Sequence, residues 1–148
     1  MIESSESKYE KLVFVVEEND GSSTCESVWV RAVGDSLYCV DNIPFFVDDV
    51  SIGDVISAEV VDNVNYFKEI VERSGSSIVR VMVNDELYVE EAINKLQEFG
   101  CHTERMLPKV FALEVPAELS FENIIDYLWQ GEQSKRWIYE TSCLRHEY

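Results

Sequence analysis

Apolar and polar residues alternate along the first half of this chain, whereas the second half switches between that period and the three-to-four spacing of helices. Tyr9 to Glu18 (YEKLVFVVEE) reads as a strand and stops at the loop Asn19-Asp20-Gly21-Ser22-Ser23. Ser27 to Val33 is a second strand, with Val28, Val30 and Ala32 on one face, and Gly34-Asp35 turns it into Leu37 to Val40. Val55 to Val61 and Val64 to Val71 pair about Asp62-Asn63. After Arg73-Ser74-Gly75-Ser76-Ser77 the pattern changes. Ile78 to Val83 is a strand, and Asn84 or Asp85 caps a helix with Val89, Ala92, Ile93, Leu96 and Phe99 on its apolar face and Gly100 at its stop. Cys101 to Met106 and Val110 to Val115 are strands. Ser120 caps a second helix carrying Phe121, Ile124, Ile125, Leu128 and Trp129, and Arg136 to Thr141 closes the series.

These elements predict an α+β fold. Residues 1–7 are expected to be a disordered tail, and 8–73 an N-terminal five-stranded antiparallel β-barrel-like subdomain. Residues 74–148 are expected to form a C-terminal ferredoxin-like βαββαβ subdomain packed on it, the two melting as one cooperative unit. The aromatics Trp29, Tyr38, Phe45, Phe46, Tyr66 and Phe67 should line the barrel, mostly as core, with Phe45 and Phe46 both structural. Trp129 and Trp137 should pack the second helix on the last strand.

The stretch from Asp41 to Val60 carries the most distinctive local chemistry. Pro44 fixes φ and removes a donor, and Gly53-Asp54 reads as a tight turn feeding the next strand. Together with Glu26-Ser27-Val28-Trp29 and Ser74-Gly75-Ser76-Ser77-Ile78-Val79-Arg80-Val81, the Ile43-Pro44-Phe45-Phe46 and Gly53-Asp54 pieces resemble a bacterial family, the domain of unknown function 4265 family, from about Lys11 to Cys143. Members of that family usually carry a histidine after the glycine of the serine-glycine turn, where this chain has Ser76. No role is therefore carried over for it, and the resemblance implies no activity.

Charge changes the picture more than composition does. The 148 residues hold 29 acids against 12 Lys plus Arg, a formal net charge of −17. Phosphate backbones and anionic lipid surfaces are recognised by clustered cations, so the sequence speaks against nucleic acid and membrane as partners. Met-Ile-Glu-Ser-Ser-Glu has no basic region followed by an apolar run, and a cytoplasmic protein is expected. Cys25, Cys39, Cys101 and Cys143 form no CxxC pair and read as buried or half-buried free thiols.

Candidate chemistry is sparse. Cys101-His102 and Cys143 with His146 invite a zinc site, but the expected topology puts them on opposite sheet edges, roughly 14 Å apart, so no metal is assigned. No GxSxG, HExxH or phosphate-cradling motif is present, and no cofactor is implied. Asp48, Asp49 and Asp54 lack calcium-loop spacing and read as solvated turn residues. The Ser74 to Ser77 turn reads as a linker. The expected function is a non-enzymatic, acidic protein-binding module, such as an immunity protein or antitoxin neutralising a basic toxin, with Trp29, Asp48, Asp49, Asp54 and Tyr66 as partner-binding residues. The alternative is an enzyme or small-ligand binder with a seam pocket containing Ser74, Ser76, Arg80 and His102.

Overall fold

The computed structural model describes residues 9–147 and divides into two compact units between Ser74 and Gly75. The tail expected over residues 1–7 lies outside the described residues. In the first unit, β1 (Tyr9–Glu17), β2 (Ser23–Gly34), β3 (Leu37–Val40), β4 (Val55–Val61) and β5 (Val64–Glu72) pair in chain order, each antiparallel to the next. Five strands that alternate in direction leave the first and last pointing the same way. The ring therefore closes by a parallel pairing, Leu12 opposite Asn65 and Val13 opposite Tyr66, where an all-antiparallel unit was expected.

Inside lie Leu12, Phe14, Val28, Val30, Val40, Val50 and Ile56, with the rings of Phe14 and Phe67 stacked at 4.6 Å. Ala32 was expected beside Val28 and Val30 but is exposed, at the end of the regular β2–β3 register, which shifts between Ala32 and Gly34. Asp62 and Asn63 both take positive φ, 51° and 66°, the backbone that a two-residue hairpin turn demands. Between β3 and β4 the chain makes no strand; Ile43, Pro44 and Val50 are buried from this loop.

The second unit runs β6 (Ser77–Val83), α1 (Leu87–Phe99), β7 (His102–Leu107), β8 (Val110–Val115), α2 (Phe121–Gln133) and β9 (Trp137–Cys143), with sheet order β7-β8-β6-β9. Val79, Val81 and Val83 of β6 meet Val89, Ala92 and Leu96 of α1 and Phe121, Ile124 and Leu128 of α2 in one core. Alternation then sends Ile78, Arg80 and Met82 to the other face. The start of α1 is secured by Asp85, whose carboxylate accepts the Leu87 N–H at 2.9 Å; Asn84 instead donates its side-chain amide to the Lys135 carbonyl. Gly100 ends α1 at φ 110°, and Ser120 accepts the Asn123 N–H at the start of α2. The packing role expected of two tryptophans falls to one. Trp137 is buried and donates its indole N–H to the Leu128 carbonyl at 2.8 Å, whereas Trp129 is 52% exposed, one position off the buried stripe of α2.

Candidate functional site

In the first unit, two side chains tie the loop after β3 to β2. The Glu26 carboxylate accepts the backbone N–H groups of Phe45, Phe46 and Val47 at 2.6, 2.9 and 3.0 Å. The Asn42 side-chain oxygen accepts the Trp29 N–H. Residues 42–47 thus run beside β2 between Glu26 and Trp29, with the N–H groups of Phe45, Phe46 and Val47 satisfied. A carboxylate that takes three N–H groups in a row fixes its loop more firmly than neutral acceptors would. Two large aromatics are left outward by this arrangement: Phe46 is 56% exposed and Trp29 48%. The structural role expected for Phe46 therefore does not hold, while Phe45 is half-buried. The Lys11 ammonium sits 5.1 Å from the Trp29 ring centre, across the β1–β2 pair. Tyr66 is half-buried on β5, opposite Glu59 of β4 and Val13 of β1.

The three aspartates do different jobs. Asp48 and Asp49 are exposed on the loop, Asp49 with a positive φ of 65°. Asp54 is fully buried, and its two carboxylate oxygens accept the N–H groups of Ser51 and Ser74 at 3.0 and 2.9 Å. It cannot meet a partner: the expected contact residue is a bracket inside the unit. Gly53 just before it has φ 89°, and a Cβ there would come within 3.0 Å of the Ser74 Cβ. Among the described residues, no group of three or more His, Cys, Asp and Glu side chains could hold a metal ion.

Ser74 belongs to the first unit and Ser76, Arg80 and His102 to the second. Within the second unit these three share the sheet face away from the helices, and each meets an acid. Ser76 donates to Glu114 at 2.6 Å, Arg80 pairs with Glu140 at 3.2 Å, and the His102 ring lies 2.8 Å from Glu104. β7 and β9, which carry His102 and Cys143, are the two edges of the sheet.

A constellation that sequence reading missed lies at the start of β6. Ser77, read as linker, is fully buried, and its hydroxyl is 2.6 Å from His146 Nδ1. His146 Nε2 is 2.9 Å from the Pro116 carbonyl, and the ring stacks on Phe121 at 5.2 Å. Nucleophile, base and orienting acceptor are formally in line, but a serine with no accessible surface cannot reach a substrate. The separation of 69 positions left no local signal of this pairing. A cavity of about 570 Å³ adjoins it, lined in part by Gly75, Phe121, Arg145 and His146.

The sequence pattern described as Domain of unknown function (DUF4265) matches residues 26–139. The chain belongs to that family. The DUF4265 span begins at Glu26, takes in the clamped loop, Asp54 and Ser77, and ends before Arg145 and His146. No curated protein matches the chain. A solved structure described as a hypothetical protein from Neisseria gonorrhoeae is similar, at 16% identity and a TM-score of 0.84, covering 95% of this chain and 98% of that one. At such identity the likeness concerns the fold alone.

The cysteines of this DUF4265 chain differ in exposure: Cys25 is exposed, against the expectation of buried or half-buried thiols, Cys39 is half-buried, and Cys101 and Cys143 are buried. Burial, helped by the Glu114 charge, pushes the Cys101 thiol up to about 12. Burial also raises Cys39. Neither is an activated nucleophile, because it is the thiolate that reacts. No helix among the described residues is long and apolar enough to cross a membrane.

Proposed function

We propose that this DUF4265 protein is a non-catalytic, acidic protein-binding module of the cytoplasm, of the kind represented by immunity proteins and antitoxins that neutralise a basic toxin. In this reading a barrel-like unit presents the contact surface and a ferredoxin-like unit accompanies it. The observation that carries it is the pair of outward aromatics, Trp29 and Phe46, set on a backbone held by Glu26 and Asn42 in a chain of net charge −17. Rigid, exposed aromatics are the residues that supply tight contact in protein interfaces, and pre-ordering them lowers the entropy lost on binding. The acidic surface steers a cationic partner to them. Asp48 and Asp49 lie on the same loop and add to that field; Tyr66 contributes only its exposed edge.

Co-expression with the products of neighbouring genes, followed by capture on the tagged chain at low and high salt, tests the reading. A basic protein should be retained, more strongly at low salt, and lost when Trp29→Ala and Phe46→Ala are combined in a chain that melts like the parent. Retention that ignores both substitutions and salt would refute it.

A further inference from the structure

His146 holds the last residues of the second unit in place. Its Nε2 lies 2.9 Å from the Pro116 carbonyl oxygen, which only accepts, so Nε2 carries the proton. In the neutral ring Nδ1 is then an acceptor, and the Ser77 hydroxyl at 2.6 Å donates to it. The Ser77 oxygen in turn accepts the Arg145 N–H at 2.8 Å. Ser77 is fully buried, and its side chain has these two partners.

We propose that Leu144 to Glu147 is a proton-sensitive strap, latched by neutral His146 and released when that ring is protonated. A second proton goes to Nδ1 and turns the acceptor into a donor. Ser77 Oγ then faces two donors, Nδ1–H and the Arg145 N–H, and its own hydrogen loses the acceptor it had in a fully buried place. A buried donor left unpaired is disfavoured enough to shift a two-state segment by on the order of tenfold. Three other charged groups line the cavity beside the ring: Glu122 from the first turn of α2, and Arg145 and Glu147 from the strap itself. Phe121 from α2, Pro116 after β8 and Ser77 from β6 contribute no charge to the ring's surroundings. Release removes one wall of the cavity of about 570 Å³, whose other side is built by Gly75, Ala117 and Phe121.

Amide hydrogen exchange on the full chain tests this, with the Arg145 protection factor measured at about pH 7.5 and about pH 5.5, across the range in which imidazoles titrate. The parent should lose protection at Arg145 by on the order of tenfold at the lower pH, while Val81 in the centre of the sheet is unchanged. In His146→Gln the pH dependence should vanish. In Ser77→Ala protection should be low at both pH values. Equal parental protection at the two pH values overturns the proposal, as does a pH-dependent fall that survives His146→Gln. Should Ser77→Ala fail to fold, visible as lost Val81 protection, the histidine variant still decides.

Discussion

Replacing Asp54 by alanine distinguishes a bracket from a contact residue. The side chain is fully buried and accepts two backbone N–H groups, from Ser51 within its own turn and from Ser74 at the far end of the unit. Alanine leaves both donors without their acceptor, and a buried donor so orphaned costs about 1–3 kcal/mol. Ser51 is itself fully buried and bears the whole of that cost, whereas Ser74 is exposed and water can replace part of its bond. The sum comes to about 2–4 kcal/mol, a large part of the roughly 5–15 kcal/mol that holds a domain folded. Asp54→Asn keeps the shape but offers one carbonyl oxygen to two donors and turns its amide hydrogens toward the other, so it should fall between parent and alanine. Urea unfolding followed by circular dichroism gives the midpoints, which should fall in the order parent, asparagine, alanine. A parental midpoint for Asp54→Ala, with partner binding lost, would return this residue to the surface role that its sequence position suggested.

Phe46→Ala should change the melting temperature little, because the ring is half in water, whereas Phe14→Ala, which empties the stacked core of the first unit, should cost about 3–5 kcal/mol in the same assay. Gly131→Ala should destabilise by about 1–3 kcal/mol, since the new methyl would enter the space of the Trp137 ring; equal midpoints would show that the ring moves aside without cost. Iodoacetamide on the native chain should label Cys25 first and leave Cys101 and Cys143 until the protein is unfolded, as mass spectrometry of timed samples would show. With its folded value up at about 12 and its ordinary value near 9, the buried Cys101 contributes stability that is complete below pH 9 and fades as pH rises toward 12. Cys101→Ala should flatten that alkaline loss, worth about 1.4 kcal/mol per pH unit.

The elements of the second unit were legible because several local signals agreed at each one. α1 has its apolar spacing, an aspartate at its start and Gly100 at its stop, and α2 has Ser120 and the Phe121-Ile124-Leu128 stripe. The hairpin turn was legible in Asp62-Asn63, since few residues accept two successive positive φ values. The parallel closure of the first sheet was missed although it needs no sequence at all, only the parity of five alternating strands. Trp129 was misplaced because an apolar residue one step beside a buried stripe looks, on period alone, much like a member of it.

Site residues were read less well, and carboxylates show why. Glu26, Asp48 and Asp54 look alike as letters in an acidic chain. One clamps three N–H groups of a loop nineteen to twenty-one positions away, one is exposed, and one is sealed between Ser51 and Ser74. Net charge counts all three equally, yet the sealed one cannot meet a cationic partner directly. The buried and clamping acids act on binding through the backbone: Glu26 orders the loop that presents Phe46. Glu26→Gln should therefore weaken any partner that uses Phe46 by more than loss of one charge explains, because a side-chain amide offers one oxygen to three donors. Adding salt distinguishes the two effects, since it screens the lost charge but cannot restore the clamp. If the deficit of Glu26→Gln against the parent disappears at high salt, Glu26 acts as charge alone and the clamp plays no part in recognition.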